Sequence, residues 1–207
     1  MGTDKAALLL NGRSLLDHAI GMVAAVTGEP VCILGSRQLY GAHNREVVED
    51  LYPGCGPLAG IHAALSHSQT RFNLIIAVDT PFLSRELLRH LADRAFESGA
   101  VVTVPEIGGY AQPLCAVYSR DFLPIAEAAL HGNAGACDPG PKAIENQQPG
   151  HESAGKSRGF KIVPLFPKDR TCIVTEAELA RLAFTPEMFE NLNTPEDMER
   201  ARRRVSH

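Results

Sequence analysis

The run Leu74-Ile75-Ile76-Ala77-Val78 restricts the fold of this chain more than any other stretch. Five apolar residues, three of them β-branched, follow one another without a polar break and end on a single carboxylate, Asp79. A short uninterrupted apolar run is the pattern of a strand covered on both faces in a parallel sheet. Open sheets of that kind gather ligands beyond the carboxyl ends of their strands. Asp79 is therefore placed either to hold a divalent cation or simply to cap the turn. Thr80-Pro81 ends the strand, and Ser84 is the expected N-cap of a helix starting near Arg85.

Several other segments carry local signals. Ala6 to Leu10 is apolar and meets the turn signal Asn11-Gly12. A helical stripe then runs from Ser14 to Val26 and stops at Gly28-Glu29-Pro30. Val31 to Gly35 and Val47 to Asp50 read as short strands. Between Pro53 and Gly60, three glycines and two prolines make a turn-rich loop leading into a helix over Ile61 to Ser68. Such a loop lets a backbone approach a flat ligand closely, although it also serves as a plain connection. Beyond Asp79, Glu86 to Phe96 is an amphipathic helix closed by Gly99, and Val101 to Pro105 is a strand. Gly108-Gly109 turns the chain toward a strand over Gln112 to Tyr118, and Phe122 to Leu130 is helical. Alternating strands and helices with a late antiparallel excursion predict an α/β, doubly wound, mostly parallel sheet.

His131 to Gly159 is rich in glycine and poor in large apolar side chains, so a flexible loop is expected over 131–159. Phe160 to Leu165 and Thr171 to Val174 return to strand composition. Thr194-Pro195 with Asp197 marks the start of a last helix, whose basic end at Arg200 to Arg204 reads as a solvated face.

Bulk properties narrow the function classes. With 207 residues, one α/β domain over 1–207 is expected. A net charge of -4 gives no electrostatic footprint for nucleic acid. No apolar run approaches the roughly 20 residues that span a bilayer. Five scattered cysteines without a Cys-x-x-Cys pair predict reduced thiols and a cytoplasmic protein, and the eight histidines show no metal-ligand spacing.

Taken in order, Met1-Gly2-Thr3-Asp4-Lys5-Ala6, Glu49-Asp50, Gly56-Pro57-Leu58-Ala59-Gly60-Ile61, Val78-Asp79-Thr80-Pro81, Gln112-Pro113-Leu114 and Asn191-Leu192-Asn193-Thr194-Pro195-Glu196-Asp197 resemble the molybdenum cofactor guanylyltransferases. The resemblance runs along nearly the whole chain. It implies a Rossmann-like, nucleotide-diphospho-sugar transferase-like sheet that binds GTP and Mg²⁺ and transfers GMP to molybdopterin with release of pyrophosphate. By resemblance, Asp79 is the metal ligand and Lys5 the phosphate-binding lysine. Asp50 helps bind the nucleoside, and Gly56, Pro57, Leu58 and Gly60 lie along base and ribose. Asn191 and Asn193 match a motif near the phosphates and the second substrate, and Gln112 is a substrate-binding residue. A hard Mg²⁺ suits carboxylate and phosphate oxygens, and lysine with metal would neutralise charge on the α-phosphate and the leaving pyrophosphate.

The family pattern opens with a strand and a glycine-rich loop, Leu-x-x-Gly-Gly-x-Ser-x-Arg-Met-Gly, whereas this chain starts at the final Met-Gly. Met1 is accordingly expected to be an internal methionine. The chain as written is expected to lack its first strand and to be unstable or catalytically crippled. Competing readings are a CTP-dependent molybdopterin cytidylyltransferase, a sugar-1-phosphate nucleotidyltransferase, and a non-catalytic homologue that binds another molybdenum cofactor assembly protein.

Overall fold

The structure, a computed structural model, describes residues 4–28, 30–132 and 161–205. Most of the glycine-rich 131–159 segment, together with Phe160 and the first three residues, lies outside them.

In chain order, a 3-10 turn at Lys5–Ala7 leads into β1 (Leu9–Leu10) and β2 (Arg13–Ser14), an antiparallel hairpin. Asn11 and Gly12 take φ of 50° and 75° at its tip, the left-handed pair a tight hairpin turn demands. Ser14 then caps α1 (Leu15–Thr27) by accepting from the Asp17 N–H. Next come β3 (Ile33–Leu34), α2 (Arg37–Tyr40), β4 (Val47–Val48) and α3 (Pro57–His67). They are followed by β5 (Phe72–Ile76), α4 (Arg85–Ser98), β6 (Val102–Ile107), β7 (Tyr110–Ala111) and β8 (Cys115–Ser119). The chain continues through α5 (Leu123–Gly132), β9 (Thr171–Val174), α6 (Glu176–Arg181) and α7 (Pro195–Val205).

These elements form two compact units. The first comprises the described residues within 1–31, 70–120 and 166–207. Its sheet has the strand order β5-β8-β6-β7, with β9 on β6. Both β5 and β6 run antiparallel to β8, so they are parallel to each other, and β9 is parallel to β6. The mostly parallel α/β sheet is thus present, with β8 as the antiparallel excursion. Helix α4 packs on α1 and on β5, β6, β8 and β9. Its stripe Leu87, Leu88, Leu91 and Ala95 is fully buried against Val117, Val174 and Leu179. The second unit contains residues 32–69 and the described part of 121–165. There β3 and β4 pair in parallel, and α3 packs on them and on α5.

Three expectations need correction. The apolar run around Ile75 is covered less fully than in a central strand: Ile75 is buried on one face, Leu74 and Ile76 are only partly buried against the α4 core on the other, and β5 pairs with β8 alone among the described residues. It forms an edge, and only Ile75 is fully buried. The strand reaches only to Ile76, and the Ala77 N–H carries the β5–β8 register one bond further, to the Leu114 carbonyl at 2.7 Å. Second, Val163–Leu165 is a 3-10 turn instead of a strand, since Pro164 cannot donate to a ladder. Third, the thiols are not all reduced: Cys55 is disulfide-bonded, whereas Cys32, Cys115 and Cys172 are free. The histidines include a core member, His62, 3% exposed, whose ring meets the edge of Tyr52 and whose Nδ1 has no partner among the described residues. Burial lowers its pKa. Among the described residues no helix is long and apolar enough to cross a membrane.

Candidate functional site

Three residues far apart in the chain converge in the first unit. Lys5 Nζ donates to Asn193 Oδ1 at 2.6 Å and to Asp79 Oδ2 at 3.3 Å, across 188 and 74 positions of sequence. The Lys5 and Asp79 side chains keep 34% and 20% of their surface, enough for a ligand to reach them.

The local sequence explains how such a cluster assembles. Each polar member lies within a few residues of apolar side chains that enter one small core of Leu10, Leu15, Leu192, Met198 and Ala201. Leu8 follows Lys5, Val78 precedes Asp79 with Phe82 just beyond it, and Leu192 precedes Asn193; all pack in that core. Apolar burial thus draws together three segments that chain proximity alone would never unite.

Backbone contacts then set the register. Asp4 caps the turn carrying Lys5 by accepting from the Ala6 N–H at 3.0 Å. The Asp79 loop is tied at both ends: Thr80 Oγ1 donates to the Ala77 carbonyl at 2.9 Å, and the Leu192 N–H donates to the Asp79 carbonyl at 2.8 Å. Behind it, the hydroxyl of the buried Tyr118 donates to the Pro113 carbonyl at 2.8 Å, next to the Leu114 carbonyl that receives Ala77. Burial pushes the Tyr118 phenol pKa up.

On the third segment, Asp197 Oδ2 accepts from the N–H groups of Asn193 and Thr194 at 2.9 and 2.8 Å, and the Asp197 N–H donates to Thr194 Oγ1 at 3.1 Å. This reciprocal capping box opens α7. The N–H groups of Thr194 and Asn193 hold the Asp197 carboxyl down at about 2. Sequence reasoning saw Asp197 as a helix cap only, and missed that the cap also fixes Asn193. It also missed Thr80 and Leu192, whose contributions are a turn and a single backbone bond.

The remaining sequence candidates lie elsewhere. Gln112 spends its side-chain N–H on the Tyr110 carbonyl at 3.1 Å, a local bond at the β6–β7 hairpin. Asn191 is exposed, two residues before Asn193. Asp50, Gly56, Pro57, Leu58 and Gly60 belong to the second unit. Helix α3 there begins at Pro57, four residues earlier than its apolar pattern suggests, since proline suits the first helical position. Gly56, the residue before it, has φ 67° and ψ -156°, a conformation essentially reserved for glycine, and offers no side-chain cap. Buried Leu58 anchors the start of the helix. A Cβ on Gly60 would stand 3.8 Å from Asp50 Oδ1, so the carboxylate leans over this helix turn. Partial burial there raises the Asp50 pKa.

As a metal site, the cluster offers one carboxylate. Among the described residues no group of three or more His, Cys, Asp or Glu side chains could hold a cation by itself. That matches Mg²⁺, which is commonly bound by one or two carboxylates with substrate phosphates completing its shell. It does not match a tightly caged Zn²⁺ or Ca²⁺.

Comparison with known proteins agrees with this architecture. Residues 1–148 match the family model of the MobA-like NTP transferase domain. The chain is 32% identical over 203 residues to a probable molybdenum cofactor guanylyltransferase of Pelotomaculum thermopropionicum, covering 98% of this chain and 85% of that protein. It is 30% identical over 202 residues to the molybdenum cofactor guanylyltransferase of Desulfosudis oleivorans, covering 97% and 86%. In fold it is similar to molybdopterin-guanine dinucleotide biosynthesis protein A of Archaeoglobus fulgidus, with a TM-score of 0.73, 22% identity, and 99% and 92% of the two chains covered. The 2-C-methyl-D-erythritol 4-phosphate cytidylyltransferase of Thermus thermophilus shares the fold at a TM-score of 0.64 and 16% identity, covering 100% and 95%. With its sheet, its relatives and most of its length in agreement, the chain belongs to the MobA-like NTP transferase family.

Proposed function

We propose that this protein transfers GMP from GTP to the terminal phosphate of molybdopterin and releases pyrophosphate. The observation that carries the reading is the convergence of Lys5, Asp79 and Asn193. The near full-length relatives named as guanylyltransferases supply the choice of substrates.

In the reaction, an oxygen of the acceptor phosphate attacks the α-phosphorus of GTP. The bond from that phosphorus to the bridging oxygen of the β-phosphate breaks, and the electron pair leaves with pyrophosphate. The attacking group is already an anion, so no strong general base is needed. Rate comes from positioning and from stabilising charge. Lys5 carries three N–H donors; two are directed at Asp79 and Asn193, leaving a third for an α-phosphate oxygen. Asp79 holds the lysine and would supply a carboxylate oxygen to Mg²⁺. Asn193, fixed by the Asp197 cap, orients the ammonium and presents its amide N–H₂ to substrate. When bound, the cation supplies neutralisation of charge on the phosphates. Asp50 and the Gly56 to Gly60 segment are proposed to bind the nucleoside, and Gln112 and Asn191 the acceptor.

The test is transfer by purified protein from GTP and from CTP, with Mg²⁺ and molybdopterin, read as pyrophosphate release and formation of the dinucleotide. Turnover with GTP well above CTP is the expected result. Preference for CTP, or turnover only with sugar-1-phosphate acceptors, would overturn it.

A further inference from the structure

Beside the Lys5 cluster, the first unit contains a cavity of about 350 Å³ whose chemistry differs from that of the cluster itself. Arg200 and Arg204 line one side, four residues apart and so on the same face of α7. Phe82 and Asn191 line it as well. The Arg204 guanidinium lies 4.5 Å from the centre of the Phe82 ring, a cation–π placement. The cavity shares two segments with the cluster: Phe82 follows Asp79 on one loop, and Asn191 precedes Asn193 on another. The Leu192 N–H, bonded to the Asp79 carbonyl, ties those segments together.

We propose that this cavity docks the acceptor, with Arg200 and Arg204 gripping its phosphomonoester, Phe82 holding the Arg204 guanidinium in place, and Asn191 meeting the edge of its heterocycle. The inference rests on the guanylyl-transfer reading and extends it to residues outside the Lys5 cluster. A phosphomonoester carries close to two negative charges at neutral pH, and guanidinium forks match its oxygens in pairs. The present partners of the arginines do not prevent this. Arg204 meets Glu190 at 3.6 Å, with 45% and 55% of the two side chains exposed, and a pair so solvated exchanges readily for a dianion. Arg200 meets Asp197 Oδ1, while Oδ2 of that carboxylate stays committed to the Asn193 and Thr194 N–H groups. Arg200 can therefore turn away without loosening Asn193. The Asn191 carboxamide offers both a donor and an acceptor, the pair an amide edge of a pterin requires. The volume is at the lower end for small-molecule sites, suited to a bicyclic ring with one phosphate and too small to enclose a whole nucleoside triphosphate.

The experiment uses two readouts on the full chain carrying Arg204→Ala, Arg200→Ala, the double substitution, or Arg204→Lys. The first is equilibrium binding of 6-hydroxymethylpterin monophosphate, followed by its own fluorescence without nucleotide. The expected result is at least about tenfold weaker binding in the double variant, a smaller loss in Arg204→Lys, and poor binding of the unphosphorylated pterin. The second is steady-state transfer, where KM for molybdopterin rises while KM for GTP stays within about twofold. Both arginine side chains are substantially exposed, so the variants should fold, which a melting curve of each is to check. Equal pterin-phosphate binding by wild type and double variant, or an unchanged KM for molybdopterin, overturns the proposal. If wild type shows the arginine-dependent binding but transfers no GMP, the docking site stands and the guanylyl-transfer reading falls. If wild type transfers GMP and the double variant keeps its acceptor KM, the reverse holds.

Discussion

Lys5→Met separates a catalytic role for the lysine from a structural one, because the two predict losses of different size. The substitution keeps most of the aliphatic stem and removes the ammonium. Its ion pair with Asp79, at 3.3 Å and partly solvated, is worth about 0.2–1 kcal/mol. The bond to Asn193 adds about 0.5–1.5 kcal/mol. Together these remove roughly 0.7–2.5 kcal/mol, a fall in Tm of roughly 1–10 °C for a protein of this size. Native stabilities of about 5–15 kcal/mol leave such a variant folded at 25 °C. Loss of a donor aimed at developing phosphate charge, by contrast, costs about 10²- to 10³-fold in rate. Single-turnover GMP transfer at 25 °C, paired with a thermal melt, should show a small shift in Tm and a large loss of rate. Lys5→Arg should recover part of the rate, since it restores charge with a different shape. A variant that transfers within about threefold of wild type, or whose rate falls only as far as its folded fraction, would refute the argument.

Three further outcomes follow from the structure. Leu91→Ala, at a fully buried position on α4, should cost about 2–5 kcal/mol in urea unfolding, with its slope unchanged. Gly56→Ala should destabilise by about 1–3 kcal/mol, since φ 67° with ψ -156° strains any Cβ, and should weaken GTP binding if the α3 entry meets the nucleoside. Asp197 is held at about 2, below its ordinary 3.8, so its share of stability is complete above that ordinary value and drains as pH falls through 2. Acid unfolding of wild type and Asp197→Asn should therefore differ by a constant amount from pH 7 to 5, and the difference should shrink below pH 4.

Much of the local structure could be read from residues that act on their own neighbourhood. Ser84 and Thr194 cap helices where the sequence places them, and Asn11-Gly12 turns a hairpin. What stayed hidden depends on distant partners. Leu74 and Ile76 are as apolar as any central strand residue, yet their burial depends on which strands lie alongside β5. Pro57 starts a helix because Gly56 reaches a conformation that no apolar period reports. Asp79 stands just past a ladder whose last bond, from Ala77, is received by Leu114, 37 positions further along the sequence. The meeting of Lys5 with Asn193 has no local signature at all; only resemblance to a family pointed to both. Geometry supplied the reason, with Leu8, Val78 and Leu192 burying their side chains in one core.

The most direct test of the account is Asp79→Asn, a nearly isosteric change that removes the negative charge from the centre of the cluster. Mg²⁺-dependent transfer of GMP and binding of Mg·GTP should be measured beside metal-free GTP binding and a melting curve. The account predicts transfer reduced by about 10²-fold or more, with Mg²⁺ no longer strengthening GTP binding and the fold intact. Transfer at the wild-type rate, with Mg²⁺ still tightening GTP binding, would contradict it and remove Asp79 from the reaction.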